Sequence, residues 1–281
     1  MTERLTHFSS EGLIFDVRDD GPLDGPVVVA LHGFPQTSAC WSAVTPLLVE
    51  GGYRVLAPDQ RGYSPGARPR DVRSYAMASL TADVLALADA AGARRFHVLG
   101  HDWGAAVGWT LAGRHRERVR TLSAVSVPHP ASLARSLVGT QALRSWYMGV
   151  FQVPGLAERL FAARDGALVR RMFAASGLRD LEPSVQLLTD RRAATATLNW
   201  YRALRLPGQL RAGRTDVPTL YVWSDGDTAL GRRAAEGTGQ FVRGSYRFEV
   251  LAGVSHWVPE ERPAELARLV LAHLAAHPIE G

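Results

Sequence analysis

The chain has 281 residues, 46% of them hydrophobic and 21% charged, which suits one large globular domain, or one domain with an inserted lid, and argues against a disordered or fibrous protein. The net charge of +5 is carried by arginine alone, since the sequence has no lysine. Basic residues are spread along the chain among acids, without the run or stripe that a nucleic-acid partner requires.

In chain order, residues 5–21 read as two short strands around a turn. The apolar run from Pro26 to Gly33 stops at a glycine, as buried parallel strands do, and Tyr53 to Asp59 is a second such run. Residues 74–92 repeat apolar positions at three and four and end at Gly92, the pattern of a helix. A third strand runs from Arg95 to Asp102, a helix covers residues 105–117, and a fourth strand runs from Val119 to Pro128. From His129 to Leu210 the pattern is helical throughout, with breakers at Pro154, Gly155, Pro183 and Pro207. Strands return at Val217 to Asp225 and Tyr246 to Gly253, and a helix over 263–277 follows. Alternating strands and helices predict an α/β domain with a mostly parallel sheet. The interruption predicts an inserted helical cap, 129–210, on a core of 1–128 and 211–281.

The opening MTERLTHFSS has no apolar run of signal-peptide length, and no stretch approaches a membrane span, so a cytoplasmic protein is expected. Cys40 is the only cysteine, which excludes an internal disulfide and a thiolate metal cluster and reads as a small core residue. No motif for a metal or organic cofactor is present, and the absence of heptads leaves monomer and homodimer equally open.

Two glycine-flanked turns compete for the role of a reactive strand-to-helix elbow. In GYSPG, Ser64 is followed by Pro65, which lacks the backbone N–H that the residue after a nucleophile donates to an oxyanion, and loop follows. In GHDWG, strand precedes and helix follows. Gly100 and Gly104 relieve crowding, and Trp103 keeps its N–H. Asp102 is therefore the candidate nucleophile. An isolated aspartate there would ordinarily be a helix cap, which leaves the glycines unexplained.

A carboxylate nucleophile forms an ester, and hydrolysing it takes a base, commonly histidine oriented by an acid. Of nine histidines, His256 lies in a loop after the last strand, on the rim expected for Asp102. His273 and His277, on the last helix, read as surface residues. The acid is Asp225 or Asp227, after the preceding strand. The oxyanion donors expected are the N–H groups of Trp103 and of Phe34 in the loop HGFPQ. His32, in the same loop, can hold it by hydrogen bonds.

HGFP, DQRGYS, GHDWG, WSDGD and GVSHWVPEE, in this order, resemble the α/β-hydrolase fold and, within it, the soluble epoxide hydrolases, over nearly the whole chain. The resemblance implies that the acid is the last residue of a turn whose first residue here is Ser224, which selects Asp227. It implies ring-opening tyrosines in two lid stretches, WYMGVFQVPGLAE and LNWYRAL, where Tyr147 and Tyr201 stand; they are the two tyrosines of the cap segment. A phenol stays protonated at neutral pH and suits a developing alkoxide. The implied activity is conversion of a small apolar epoxide to a vicinal diol through an ester on Asp102, without cofactor. Trp103, Phe34, Trp146, Phe151 and Trp200 are expected around the pocket. The alternative is a haloalkane dehalogenase using the same Asp102, Asp227 and His256, with Trp103 and Trp146 or Trp200 as halide donors. Phe34 stands where that branch commonly has Asn or an acid.

Overall fold

The computed structural model describes residues 3–136, 146–209 and 211–279, and for Trp146 the backbone alone. Eight strands form one sheet: β1 (His7–Ser10), β2 (Leu13–Asp20), β3 (Val27–Leu31), β4 (Arg54–Pro58), β5 (Phe96–His101), β6 (Val119–Val125), β7 (Thr219–Ser224) and β8 (Tyr246–Leu251). Their order is β1-β2-β4-β3-β5-β6-β7-β8. The β1–β2 and β2–β4 pairs are antiparallel, and the remaining pairs are parallel. Every residue of β3, β4 and β5 is buried, which is why these strands read as unbroken apolar runs rather than alternating ones.

The described helices are α1 (Thr45–Glu50), α2 (Met77–Ala90), α3 (Trp103–Arg114), α4 (Pro130–Ser136), α5 (Trp146–Phe151), α6 (Leu156–Ala162), α7 (Ala167–Ala175), α8 (Glu182–Thr189), α9 (Arg191–Arg202), α10 (Arg232–Glu236), α11 (Val258–Glu261) and α12 (Pro263–Ala275). Leu80, Val84 and Leu87 of α2 and Trp109 of α3 pack on one face of the sheet, with Leu31 and Leu56. Leu48 of α1 and Leu266, Leu269 and Val270 of α12 cover the other, with Val28 and Val55. A third cluster joins Phe161, Phe173, Leu188 and Leu198, from the helices between β6 and β7, to Phe34 and Trp257. The first of these helices, α4, is tied to α10, where the Ser132 hydroxyl donates to Ala234 O at 2.7 Å.

From β3 the chain crosses to β4 on one side and later to β5 on the other. The loops at the carboxyl ends of β3 and β5 therefore diverge over a crevice, the place where open parallel sheets bind ligands.

Several local expectations shift. The helix read over 105–117 begins at Trp103 and ends at Arg114. Pro183, read as a breaker, sits in the first turn of α8, where a missing N–H costs nothing. Helices α1 and α10, of six and five residues, are too short to show periodicity. His273 is buried rather than exposed, its Nε2 3.3 Å from Pro218 O, because it faces the sheet from α12. Cys40 is a buried free thiol in the second core cluster. Residue 210, the expected far edge of the cap, lies outside the described residues. Among the described residues no helix is long and apolar enough to cross a membrane.

Candidate active site

Asp102 stands alone between the end of β5 at His101 and the start of α3 at Trp103, with φ 51° and ψ −119°. A side chain rarely accepts that backbone, and the strain costs on the order of 1–3 kcal/mol, which the packing around it must sustain. The packing is close. A Cβ on Gly104 would lie 2.1 Å from Leu31 O, and one on Gly33 2.3 Å from the Asp102 Cβ. Glycine at these positions lets the helix start press against β3 and the HGFPQ loop lie on the elbow. The Phe34 N–H consequently donates to Asp102 Oδ1 at 2.8 Å.

Ser64, the competing nucleophile, is buried elsewhere. Its hydroxyl donates to Asp59 O at 2.8 Å and accepts from Asp16 N–H at 2.9 Å, joining β2 to the loop after β4.

His256 comes from the loop after β8. Its Nδ1 is 2.7 Å from Asp227 Oδ2, and its Nε2 is 3.5 Å from Asp102 Oδ2. Asp227 Oδ1 accepts the N–H groups of Ala229 and Leu230 at 2.7 and 2.9 Å, which fixes the carboxylate plane. Asp225 turns away and accepts from Gly253 N–H at 2.7 Å, at an exposed site. Of the two acids, Asp227 is the one beside His256.

Burial alone would lower the His256 pKa, but Asp227 and Asp102 on either side raise it from 6.5 to about 10. Burial likewise pushes the Asp102 carboxyl up, and the hydrogen bond and charge of His256 more than offset it, holding Asp102 below its ordinary value. The resting site is thus a carboxylate–imidazolium pair.

Behind it lie supports that the sequence reading did not single out. His256 O lies 2.9 Å from His101 Nε2 and accepts from the Ser126 hydroxyl at 2.9 Å. The Tyr221 hydroxyl in turn donates to Ser126 O at 2.9 Å. Burial, reinforced by the charge of His256, drops the His101 pKa to about 4, so its ring is neutral and fits a hydrogen bond through Nε2–H. Their signal was weak, because Ser126 and Tyr221 fall within strand-like runs, but His101 adjoins the candidate nucleophile. His32 holds the HGFPQ loop as expected: its Nε2 accepts from Gln60 N–H at 3.0 Å, and the Gln60 side chain donates to His32 O at 2.6 Å.

Above the elbow is a cavity of about 350 Å³ whose wall includes Asp102, His256, Phe34, Tyr147, Phe151 and Tyr201. The rings of Tyr147 and Tyr201 are 6.3 Å apart, and Phe34 meets Tyr201 edge-on at 5.2 Å. Burial pushes both phenols well above their ordinary pKa. Asp102 and Asp227 add to this at Tyr147, and Tyr147 and Asp102 at Tyr201, so both hydroxyls keep their protons.

Trp200 was expected in the wall and does not line the cavity. One residue before Tyr201 on a helix, it points about 100° away from it. It is buried in the core, where its indole N–H donates to Arg61 O at 2.7 Å. Trp103 is also behind the wall, its ring edge-on to Tyr201 at 5.1 Å. The side chain of Trp146 lies outside the described residues. The rest of the wall comes from Met172, Phe173, Ala175 and Ser176 at the end of α7, Thr228 and Ala229 beside Asp227, and Trp257. Of these, Thr228, Ala229 and Trp257 were within reach of a sequence argument, since each lies within two residues of Asp227 or His256. Among the described residues no group of three or more His, Cys, Asp or Glu is placed to hold a metal ion.

The profile of the alpha/beta hydrolase fold family matches residues 26–263. The chain is 32% identical to epoxide hydrolase A of Mycobacterium tuberculosis over 97% of both chains. It is 34% identical to AB hydrolase superfamily protein YfhM of Bacillus subtilis, over 95% of this chain and 96% of that one. Among solved structures, epoxide hydrolase A from Mycobacterium thermoresistibile superposes with a TM-score of 0.83 at 30% identity, covering 98% of both chains.

Proposed function

The chain belongs to the α/β hydrolase fold family, among the epoxide hydrolases, and from that premise we propose that it opens a small, neutral, apolar epoxide to a vicinal diol through an ester on Asp102. The observation that carries this reading is the division of labour between the two oxygens of Asp102. Oδ1 is held by the Phe34 N–H, while Oδ2 faces His256, beneath a pair of protonated tyrosines.

In this reading residues 129–210 form the lid over the core of 1–128 and 211–281. Tyr147 and Tyr201 bind the epoxide oxygen, and Asp102 Oδ2 attacks a ring carbon, so the C–O bond to that carbon breaks as the ester forms. The tyrosines supply the proton to the leaving oxygen, and the His256 imidazolium makes it good. Neutral His256, oriented by Asp227, then takes a proton from water, which attacks the ester carbonyl carbon. The oxyanion on Oδ1 meets the N–H groups of Phe34 and of Trp103, which opens α3 and has no intrahelical acceptor. Collapse releases the diol and returns the carboxylate–imidazolium pair. Protons and charges balance over the cycle.

A dehalogenase needs N–H donors aimed at a halide in the cavity. Here the indole N–H of Trp200 is committed to Arg61 O, and that of Trp257 donates to the Ser176 hydroxyl at 3.0 Å. The Trp103 side chain is engaged with Tyr201. These commitments favour the epoxide.

The test is one turnover in ¹⁸O-water with enzyme in excess over a small aryl epoxide. The expected result is unlabelled diol with label in the peptide holding Asp102. Label in the diol at once would mean direct attack by water, and no diol from any epoxide would remove the assignment.

A further inference from the structure

Tyr147 and Tyr201 sit on different helices of the insert, and each helix ends in a residue that reaches across to the other. The side chain of Gln152, one residue past α5, donates to Tyr201 O at 2.8 Å. The Arg202 Nε, at the end of α9, donates to Phe151 O at 3.0 Å. Both acceptors are carbonyls in a last helical turn, where intrahelical hydrogen bonding runs out; the Tyr201 carbonyl otherwise takes the N–H of the capping Ala203. Tyr147 lies four residues before Phe151, on the same face, so tying down the Phe151 carbonyl ties down the turn that carries Tyr147. The Phe151 ring packs against both phenols, 5.3 Å from Tyr147 and 5.0 Å from Tyr201.

Arg202 is itself fixed. Its guanidinium is 2.9 Å from the Glu158 carboxylate, and both side chains are buried, at 6% and 3% exposure. The Thr195 hydroxyl donates to the same carboxylate at 3.0 Å, and Arg202 Nη1 reaches Asn199 Oδ1 at 3.3 Å. A buried ion pair of this kind is a weak source of stability, since apolar side chains of similar volume do as well or better. Its rigid, directional geometry is what apolar packing would not supply.

We propose that Gln152 and Arg202, the latter braced by Glu158, are positioning residues: a reciprocal clamp that sets the spacing of the two tyrosine hydroxyls over Asp102. The inference rests on the epoxide-opening reading above. It predicts a defect confined to one half-reaction, because the tyrosines act on the epoxide oxygen during ester formation and have no part in the attack of water on the ester.

The experiment is rapid-quench single turnover with an aryl epoxide, following the ester on the Asp102 peptide by mass as it forms and decays. Two variants are used. Gln152→Met removes one strand of the clamp at a half-buried site. The double variant Glu158→Met with Arg202→Met removes the other without leaving an unpaired buried charge. Each is expected to slow ester formation by roughly tenfold or more, since a misplacement near 1 Å can cost on the order of a hundredfold. Ester hydrolysis should stay within about threefold of the wild type, the signature of an interaction lost in one step only. Ester formation at the wild-type rate, or equal slowing of both steps, would overturn the clamp. Absence of any ester in the wild type would instead overturn the epoxide reading, so the two failures are distinguishable.

Discussion

Replacing Asp227 with asparagine changes one charge and almost no volume, and it should separate the two half-reactions. The rise of the His256 pKa from 6.5 to about 10 corresponds to roughly 5 kcal/mol in favour of the imidazolium. Two carboxylates share that effect. Coulomb attraction varies inversely with distance, so at 2.7 Å Asp227 contributes about 1.3 times what Asp102 does at 3.5 Å. Asparagine removes the larger share, and burial then pulls His256 back toward its ordinary range. The amide brings a second fault. Its oxygen would still accept from the N–H groups of Ala229 and Leu230, leaving its NH₂ to donate to His256 Nδ1. That fixes the proton on Nε2, where the base must be empty. In a serine triad the same change of tautomer costs about 10⁴-fold in turnover. Here the loss falls on hydrolysis, because the attacking carboxylate is untouched. The assay is intact-protein mass after mixing with epoxide. The expected result is one adduct per chain, formed quickly and persisting, with steady turnover down by roughly 10³-fold or more. Turnover within about tenfold of the wild type, or no adduct, would refute the roles given to both residues.

Asp102→Asn should form no adduct and no diol, whereas His256→Gln should give one burst of ester and then stop; equal residual turnover in the two variants would contradict the order of events. Ser64→Ala removes two buried hydrogen bonds and should cost about 1–3 kcal/mol in chemical denaturation while leaving adduct formation intact. Gly104→Ala sets a methyl 2.1 Å from Leu31 O and should destabilise by more than about 2 kcal/mol, read in the same denaturation assay. Stability should also depend on pH through His256. The folded protein binds its proton more tightly than the unfolded chain, so the stabilisation is complete below pH 6.5 and is lost as pH rises toward about 10. Unfolding free energies measured across that window should fall more steeply for the wild type than for His256→Gln, and parallel curves would show that the imidazolium contributes nothing to the fold.

How much of this was legible in the sequence depended on how local the cause was. The elbow could be read because its constraint is written in adjacent letters: glycines at 100 and 104 around Asp102, a strand before and a helix after. Pro65 told against Ser64 in the same way. The choice between Asp225 and Asp227 was not readable from the residues alone. Both follow β7, and only the fold of the turn sends one to His256 and the other to Gly253. Trp200 failed for a related reason. Its neighbour Tyr201 belongs to the cavity, and adjacent residues on one helix cannot share a face. His101 and Ser126 meet at the His256 carbonyl and Tyr221 holds Ser126, a chain drawn from three separate strands or their ends, which no single window displays.

In the proposed cycle, the charge arrangement lets one histidine serve both half-reactions. At rest, His256 lies between two carboxylates and is protonated. An imidazolium is no base, so a water beside it before substrate arrives would not be activated. It also holds Asp102 ionised, although burial opposes that, as the proposed nucleophile requires. Ester formation consumes the charge of Asp102. One of the two influences that kept the proton on His256 would then disappear, while the cavity stays as buried as before, and the pKa would fall from about 10. The proton is released at the moment when the opened ring leaves an oxygen that needs one, and the tyrosines, with pKa values pushed upward, are poor places to leave a negative charge. What remains is a neutral imidazole, held by Asp227 in the tautomer that accepts from water. In the cycle we propose, covalent chemistry on Asp102 therefore converts its neighbour from acid to base, and hydrolysis of the ester, by restoring the carboxylate, converts it back.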